Sequence, residues 1–221
     1  MGSKATTSVS GKLSAPLYSM AMTTLEGRPY DASALKGKVV LITNVACACG
    51  YTKSNYEQLV ALDAKHKGEL QILAFPSNEF GGQESGSPKQ IRDFVSEKGV
   101  KFTMLEKTEV NGPGAHPVYQ ALKEATSGDD VKWNFETKFL VARDGVSVTR
   151  FNKVRHACAM PCLCHADARA RATGRRSTMP SSRRTLKLAW QVRACDLTSA
   201  ALRCAALRCA AWVMQRSLKL N

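Results

Sequence analysis

The chain has no apolar run of about 18 residues, so no membrane-spanning helix is indicated, and its N-terminus lacks the apolar core of a secretory signal. It has no Cys-x-x-Cys pair, the spacing expected of a dithiol exchange motif. Histidine is scarce, 4 in 221 residues, and no histidine or acidic constellation has the look of a hydrolytic site. Acidic residues almost vanish from the last stretch: residues 154–221 hold 13 lysines and arginines against 2 acids, a net of +11. Aromatic residues are rarely interleaved with those cations, which argues against a nucleic-acid surface; charge alone would be the attraction.

What is present divides at Lys153/Val154. Residues 1–153 carry 19 basic and 16 acidic side chains, an ordinary globular balance of +3. Six of the 8 cysteines lie beyond that boundary. The formal charge of +14 is therefore a property of the tail and not of the folded part. Residues 169–184 are basic and nearly devoid of apolar periodicity, and residues 200–212 repeat AALRC in tandem, a five-residue period that suits neither helix nor strand. Residues 154–221 are expected to be disordered or to be an artefact of the gene model. Within them Cys158, Cys162, Cys164 and His165 have the chemistry of zinc ligands but lack the paired spacing of structural sites, so no metal is expected. Residues 1–12 are polar and are expected to form a loose tail, although Gly2 fits the loose pattern for N-myristoylation. Two cysteines in the globular part make no disulfide framework, which points to a reducing compartment and so to the cytoplasm.

Residues 38–55, KVVLITNVACACGYTKSN, organise the rest. Val39, Val40, Leu41 and Ile42 form an unbroken apolar run opening on β-branched residues, the pattern of a strand buried on both faces. It leads into Cys47, Cys49 and Gly50. Ser54 and Glu57 have capping-box spacing and predict a helix over 54–66, closed by Gly68. A cysteine between a central strand and a helix start meets unpaired N–H groups and the positive end of the helix dipole, which favour the reactive thiolate.

Downstream, residues 70–75 read as a second buried strand ended by Pro76, followed by a loop through Gly81 and Gly82. Ser87-Pro88 opens a helix with Ile91, Phe94 and Val95 on its apolar face, stopping at Gly99. Residues 102–105 are a short strand, 111–114 a loop, and Pro117 starts a helix at which His116 has a capping or packing role. Residues 133–142 and 146–151 read as strands joined at Asp144-Gly145. Near the N-terminus, residues 17–22 and Tyr30 flank a turn at Glu26-Gly27, a small hairpin. Strands alternating with helices imply a three-layer α/β domain with a mostly parallel, mixed sheet.

A thiolate at Cys49 needs uncharged hydrogen-bond donors near strand ends. Gln83 lies in the Gly-rich loop, and Trp133 and Asn134 open a later strand. A side-chain amide, an indole and a second amide could meet at one sulfur, stabilising negative charge and polarising an O–O bond.

At these residues the chain resembles the glutathione peroxidase family of the thioredoxin-like fold. Residues 44–50, NVACACG, are similar to its nucleophile motif and place the peroxidatic residue on Cys49. Residues 72–84, ILAFPSNEFGGQE, carry the glutamine onto Gln83, and 132–140, KWNFETKFL, carry the tryptophan and asparagine onto Trp133 and Asn134; 111–119, NGPGAHPVY, also fits. The resemblance spans residues 13–153. It implies reduction of hydrogen peroxide and of organic, including lipid, hydroperoxides, with Cys49 oxidised to sulfenic acid and returned by glutathione or a thioredoxin-like protein. No cofactor is implied. Membrane contact would come only through lipid hydroperoxides or Gly2, and the short 123–132 connection leans towards a monomer.

Four departures qualify the resemblance. Ser96 stands where thioredoxin-using members carry a resolving cysteine, Ser77 replaces another cysteine, and Cys47 replaces a serine. Nothing after Phe151 resembles the family's terminal helix, whose absence would leave a sheet face uncovered. Cys47 is a candidate resolving residue, but a disulfide spanning one residue is strained. The sequence therefore favours an external thiol, with Cys49→Ser abolishing turnover and Cys47→Ser retaining most of it. The competing classes are a thioredoxin-like oxidoreductase or redox sensor built on Cys47 and Cys49, which would leave the three donors idle, and an inactive truncated peroxidase.

Overall fold

The computed structural model describes residues 7–152. Gly2, the Lys153/Val154 boundary and the basic tail with its Cys158, Cys162, Cys164 and His165 cluster lie outside the described residues, as does the expected lack of a terminal helix.

Six strands form one sheet in the order β1-β6-β5-β2-β3-β4. They are β1 (Thr7–Lys12), β2 (Val39–Val45), β3 (Leu70–Pro76), β4 (Thr103–Met104), β5 (Lys138–Val141) and β6 (Ser147–Asn152). β2 pairs in parallel with β3, and β3 with β4. β5 runs antiparallel to β2, β6 to β5 and β1 to β6. The helices are α1 (Thr52–Lys65), α2 (Pro88–Glu97) and α3 (Pro117–Glu124). This is the three-layer, mixed-sheet α/β fold that the alternation of elements predicts.

The layers follow from residue alternation on β2, every residue of which is buried. Val40 and Ile42 point to one side, where Leu73, Phe75, Phe139 and Val141 meet Val118, Tyr119 and Leu122 of α3. Leu41 and Val45 point to the other, where Ile72, Ala74 and Phe135 meet Tyr56 and Leu59 of α1 and Ile91 and Val95 of α2. A strand with helices on both faces is apolar over most of its length, here from Val39 to Ile42. Each fully buried Leu or Ile contributes about 1.5–3 kcal/mol.

Local signals account for most boundaries. Ser87 caps α2 through a reciprocal bond with Gln90, and Pro88 occupies the first turn. His116 Nδ1 accepts the Val118 N–H at the start of α3. Asp144 Oδ1 takes the N–H groups of Val146 and Ser147 in the β5–β6 turn.

Five expectations are corrected. The sheet is mixed but not mostly parallel, since three of its five pairings are antiparallel. Residues 7–12 are not a loose tail: they form β1, with Val9 opposite Arg150. The N-terminal hairpin shrinks to a single antiparallel bridge between Thr23 and Pro29 around the turn, since residues 17–19 wind into a 3-10 turn instead. α1 begins at Thr52, and Ser54 makes no capping box; its hydroxyl donates to the Tyr51 carbonyl. The strand predicted over 133–142 starts only at Lys138, because Phe135 adopts φ 62°, a left-handed conformation that no extended strand accommodates.

Candidate active site

Because β2 and β3 are parallel, their carboxyl ends share one edge of the sheet. β5 is antiparallel to β2, with Lys138 opposite Thr43, so the segment preceding β5 arrives at the same edge. Three segments therefore converge: 44–50 after β2, 76–87 after β3, and 133–137 before β5. Trp133 and Asn134 reach the site from the amino end of their strand, not from a carboxyl end.

The turn carrying the cysteines is fixed from several sides. Cys49, 8% exposed, donates its N–H to Thr52 Oγ1 at 3.1 Å, and that hydroxyl donates to the Ala46 carbonyl at 2.6 Å. The Tyr51 N–H points at Cys49 Sγ at 3.5 Å. That N–H belongs to the first turn of α1, which is where the sequence placed the sulfur. Ala48 donates its N–H to the Gln83 carbonyl at 3.0 Å, tying the cysteine turn to the Gly-rich loop.

Gln83 and Asn134 meet directly: Asn134 Nδ2 donates to Gln83 Oε1 at 3.2 Å. Asn44 Nδ2 donates to Asn134 Oδ1 at 3.2 Å and to the Trp133 carbonyl at 3.4 Å. The Phe135 N–H returns to the Asn44 carbonyl at 3.0 Å. Trp133, 37% exposed, sets its ring at a tilt to that of Phe80, with centroids 6.0 Å apart. Gly81, at φ 65°, lies between the two donors; a Cβ there would sit 3.6 Å from Gln83 Nε2 and 3.7 Å from Trp133 Cη2. Neither Gln83 Nε2 nor the Trp133 indole N–H is engaged by a described residue, so both stay available to an incoming ligand or anion.

The strained turn at Phe135 is what aims Asn134. An aromatic residue in the left-handed region costs about 1–3 kcal/mol. It is held there by complete burial, by an edge contact with Tyr56 at 5.7 Å, and by the buried Lys138 Nζ, which donates to the Phe135 carbonyl at 2.5 Å and to Asn55 Oδ1 at 3.2 Å. Asn55 in turn donates to the Tyr51 carbonyl, beside Cys49.

Sequence reasoning assigned no role to Asn44, Thr52 or Glu84. A fully buried amide in the apolar strand was the available signal for Asn44. Glu84 is 1% exposed and lies against Cys47. Burial pushes its carboxyl up from the ordinary range, and burial together with Glu84 pushes the Cys47 thiol far up. Cys47 is therefore a protonated thiol at neutral pH. Both cysteines are free thiols.

Residues 17–123 match the family model described as glutathione peroxidase. A hydroperoxy fatty acid reductase from Synechocystis is 50% identical over 134 residues, covering 59% of this chain and 84% of the relative. A probable phospholipid hydroperoxide glutathione peroxidase from Mesembryanthemum crystallinum is 48% identical, covering 57% of this chain and 76% of the relative. The crystal structure of T. cruzi GPX1 superposes with a TM-score of 0.51 at 38% identity, covering 63% of this chain and 87% of that one. With half of the aligned residues shared and most of each relative's length spanned, the chain belongs to the glutathione peroxidase family, and with it to the peroxidases.

Proposed function

We propose that the chain is a thiol-dependent peroxidase acting on hydrogen peroxide and on organic, including lipid, hydroperoxides, with Cys49 as the peroxidatic residue and Gln83, Trp133 and Asn134 as its donors. The Cys49 thiolate attacks one peroxide oxygen and the O–O bond breaks. The sulfur becomes a sulfenic acid, and the departing oxygen leaves as water or an alcohol after taking a proton. The observation that carries this reading is the hydrogen-bonded junction of Asn44, Asn134 and Gln83, which leaves the Gln83 amide and the Trp133 indole as unspent neutral donors beside the cysteine turn. Neutral donors stabilise developing negative charge without offering the thiolate an acidic proton.

Glutathione or a thioredoxin-like protein supplies the electrons that return the oxidised Cys49 to the thiol. The cytoplasm, a reducing compartment, suits this cycle, and the protein works as a monomer. Among the described residues no helix is long and apolar enough to cross a membrane. The experiment is a coupled assay following hydroperoxide-dependent oxidation of each donor, with wild type and Cys49→Ser side by side. Turnover that vanishes in Cys49→Ser is expected; equal turnover in both would refute the assignment. The same preparation assayed for insulin-disulfide reduction should be inactive, since it lacks a Cys-x-x-Cys pair.

A further inference from the structure

The peroxide step leaves one buried group without a task. Neither carboxyl oxygen of Glu84 makes a hydrogen bond of normal geometry, and the hydroxyl of Tyr56, also 1% exposed, is unpartnered. The Cys47 thiol and N–H lie against the Glu84 carboxyl, near enough to draw its titration down against the larger push of burial. Tyr56 feels both Cys47 and Glu84, and burial raises it most. Lys107 is the cation that faces this cluster; its Nζ is tied to the carbonyls of Glu84 and Gly86 at 3.3 and 2.9 Å. A buried carboxyl met only by poorly aligned donors from Cys47, next to a buried phenol with no partner, is costly to keep, and packing alone explains the cluster poorly.

We propose that Cys47 is the resolving thiol of this chain and that Glu84 is the base that frees it. The inference rests on the peroxidase reading. Once a hydroperoxide has converted Cys49 to its sulfenic acid, the Cys47 sulfur attacks the Cys49 sulfur. The S–S bond forms as the S–O bond breaks. Glu84 takes the Cys47 proton and delivers it to the departing hydroxide, which leaves as water. Cys47 is oxidised and the sulfenic sulfur of Cys49 is reduced, so no further oxidant enters.

A buried carboxyl is a stronger base than one in water, and a protonated thiol held against it needs such a base before it can attack. The turn itself brings the sulfurs within one residue of each other, with Ala48 N–H pinned on Gln83 and Cys49 N–H on Thr52. A disulfide spanning a single residue is strained and therefore easily reduced. That lability suits a bond which a dithiol donor must reopen on every cycle. The sequence favoured a direct external thiol because of that strain, and it gave no sign of a buried carboxyl beside Cys47.

Residues 39–53 form one tryptic peptide whose only cysteines are Cys47 and Cys49. Reduced full-length protein is mixed with one equivalent of hydrogen peroxide and the sulfenic-acid trap dimedone, without donor, then alkylated, digested and weighed. The wild-type peptide should be lighter by two hydrogens and carry neither label. Cys47→Ser should carry dimedone on Cys49, and Glu84→Gln should form the disulfide about 10²-fold more slowly with a larger trapped fraction. Wild type carrying dimedone on Cys49 and an alkyl group on Cys47 would overturn the proposal, as would a bridge from Cys49 to a tail cysteine. An unchanged rate in Glu84→Gln would overturn the role of Glu84; should that variant not fold, the Cys47→Ser arm still decides the role of Cys47. If peroxide is not consumed and the peptide stays fully alkylated, the peroxidase reading falls and the inference with it.

Discussion

Thr52 shows how much of this site depends on single atoms. Its hydroxyl accepts from Cys49 and donates to Ala46, so Thr52→Val, nearly the same shape, leaves a buried N–H and a buried carbonyl unpaired. Stability should fall by about 1–3 kcal/mol, read as a lower urea midpoint. Asn134 joins Asn44 to Gln83; Asn134→Ala should reduce the second-order rate constant with hydroperoxide by about 10²-fold, measured by stopped flow, while the fold persists by circular dichroism. His116 supplies a pH dependence. Its Nδ1 must be unprotonated to accept the Val118 N–H, and burial holds its pKa below the ordinary histidine range, with Glu106 opposing. The unfolded chain therefore binds that proton more tightly than the folded one. The cap contributes fully above about pH 6.5 and is lost as pH falls from there through the lowered folded value. Glu84, raised by burial, pulls the opposite way, so the comparison is between wild type and His116→Asn. The asparagine variant should lose less stability between pH 7.5 and 5.5 by urea denaturation; an identical loss would exclude the histidine cap as the cause.

Among the elements, β1 was the least visible in advance. Its sequence, TSVSGK, has one apolar side chain and no alternation, because an edge strand paired through its backbone to β6 needs little side-chain burial. What fixes it is contact: a Cβ on Gly11 would overlap the Ala125 carbonyl oxygen at the end of α3. Gly11→Ala should therefore destabilise the chain by about 1–3 kcal/mol, measured by thermal unfolding, and a mere tail would show no change. β2, β3, α2 and the Asp144-Gly145 turn were legible because each carries its own local cause: β-branched runs, Ser87 with Pro88 and Gln90, and an aspartate that caps a turn. The Phe135 turn was not, since nothing in Trp133-Asn134-Phe135-Glu136 marks a left-handed residue. That conformation is imposed by Tyr56 and Asn44, which are distant in sequence, together with Lys138 three residues on. The same holds for Glu84, whose burial follows no periodicity. The four residues Cys49, Gln83, Trp133 and Asn134 were legible as motifs, while the Asn44 bonds that join two of them were not.

For the whole molecule, the charge and the chemistry occupy different parts of the chain. The net of +11 belongs to residues 154–221 and the cysteine turn to a nearly neutral segment. The aligned relatives correspond to about three-fifths of this chain, and the mixed sheet in that part gathers three loops at one edge around Cys49. The central claim is that this sulfur alone opens the peroxide bond. It is met most directly by following the loss of one equivalent of hydroperoxide, without any donor, on mixing with reduced full-length wild type or Cys49→Ser. One equivalent consumed per wild-type chain, with Cys49→Ser no faster than buffer, is the expected result; consumption by Cys49→Ser at the wild-type rate would contradict it.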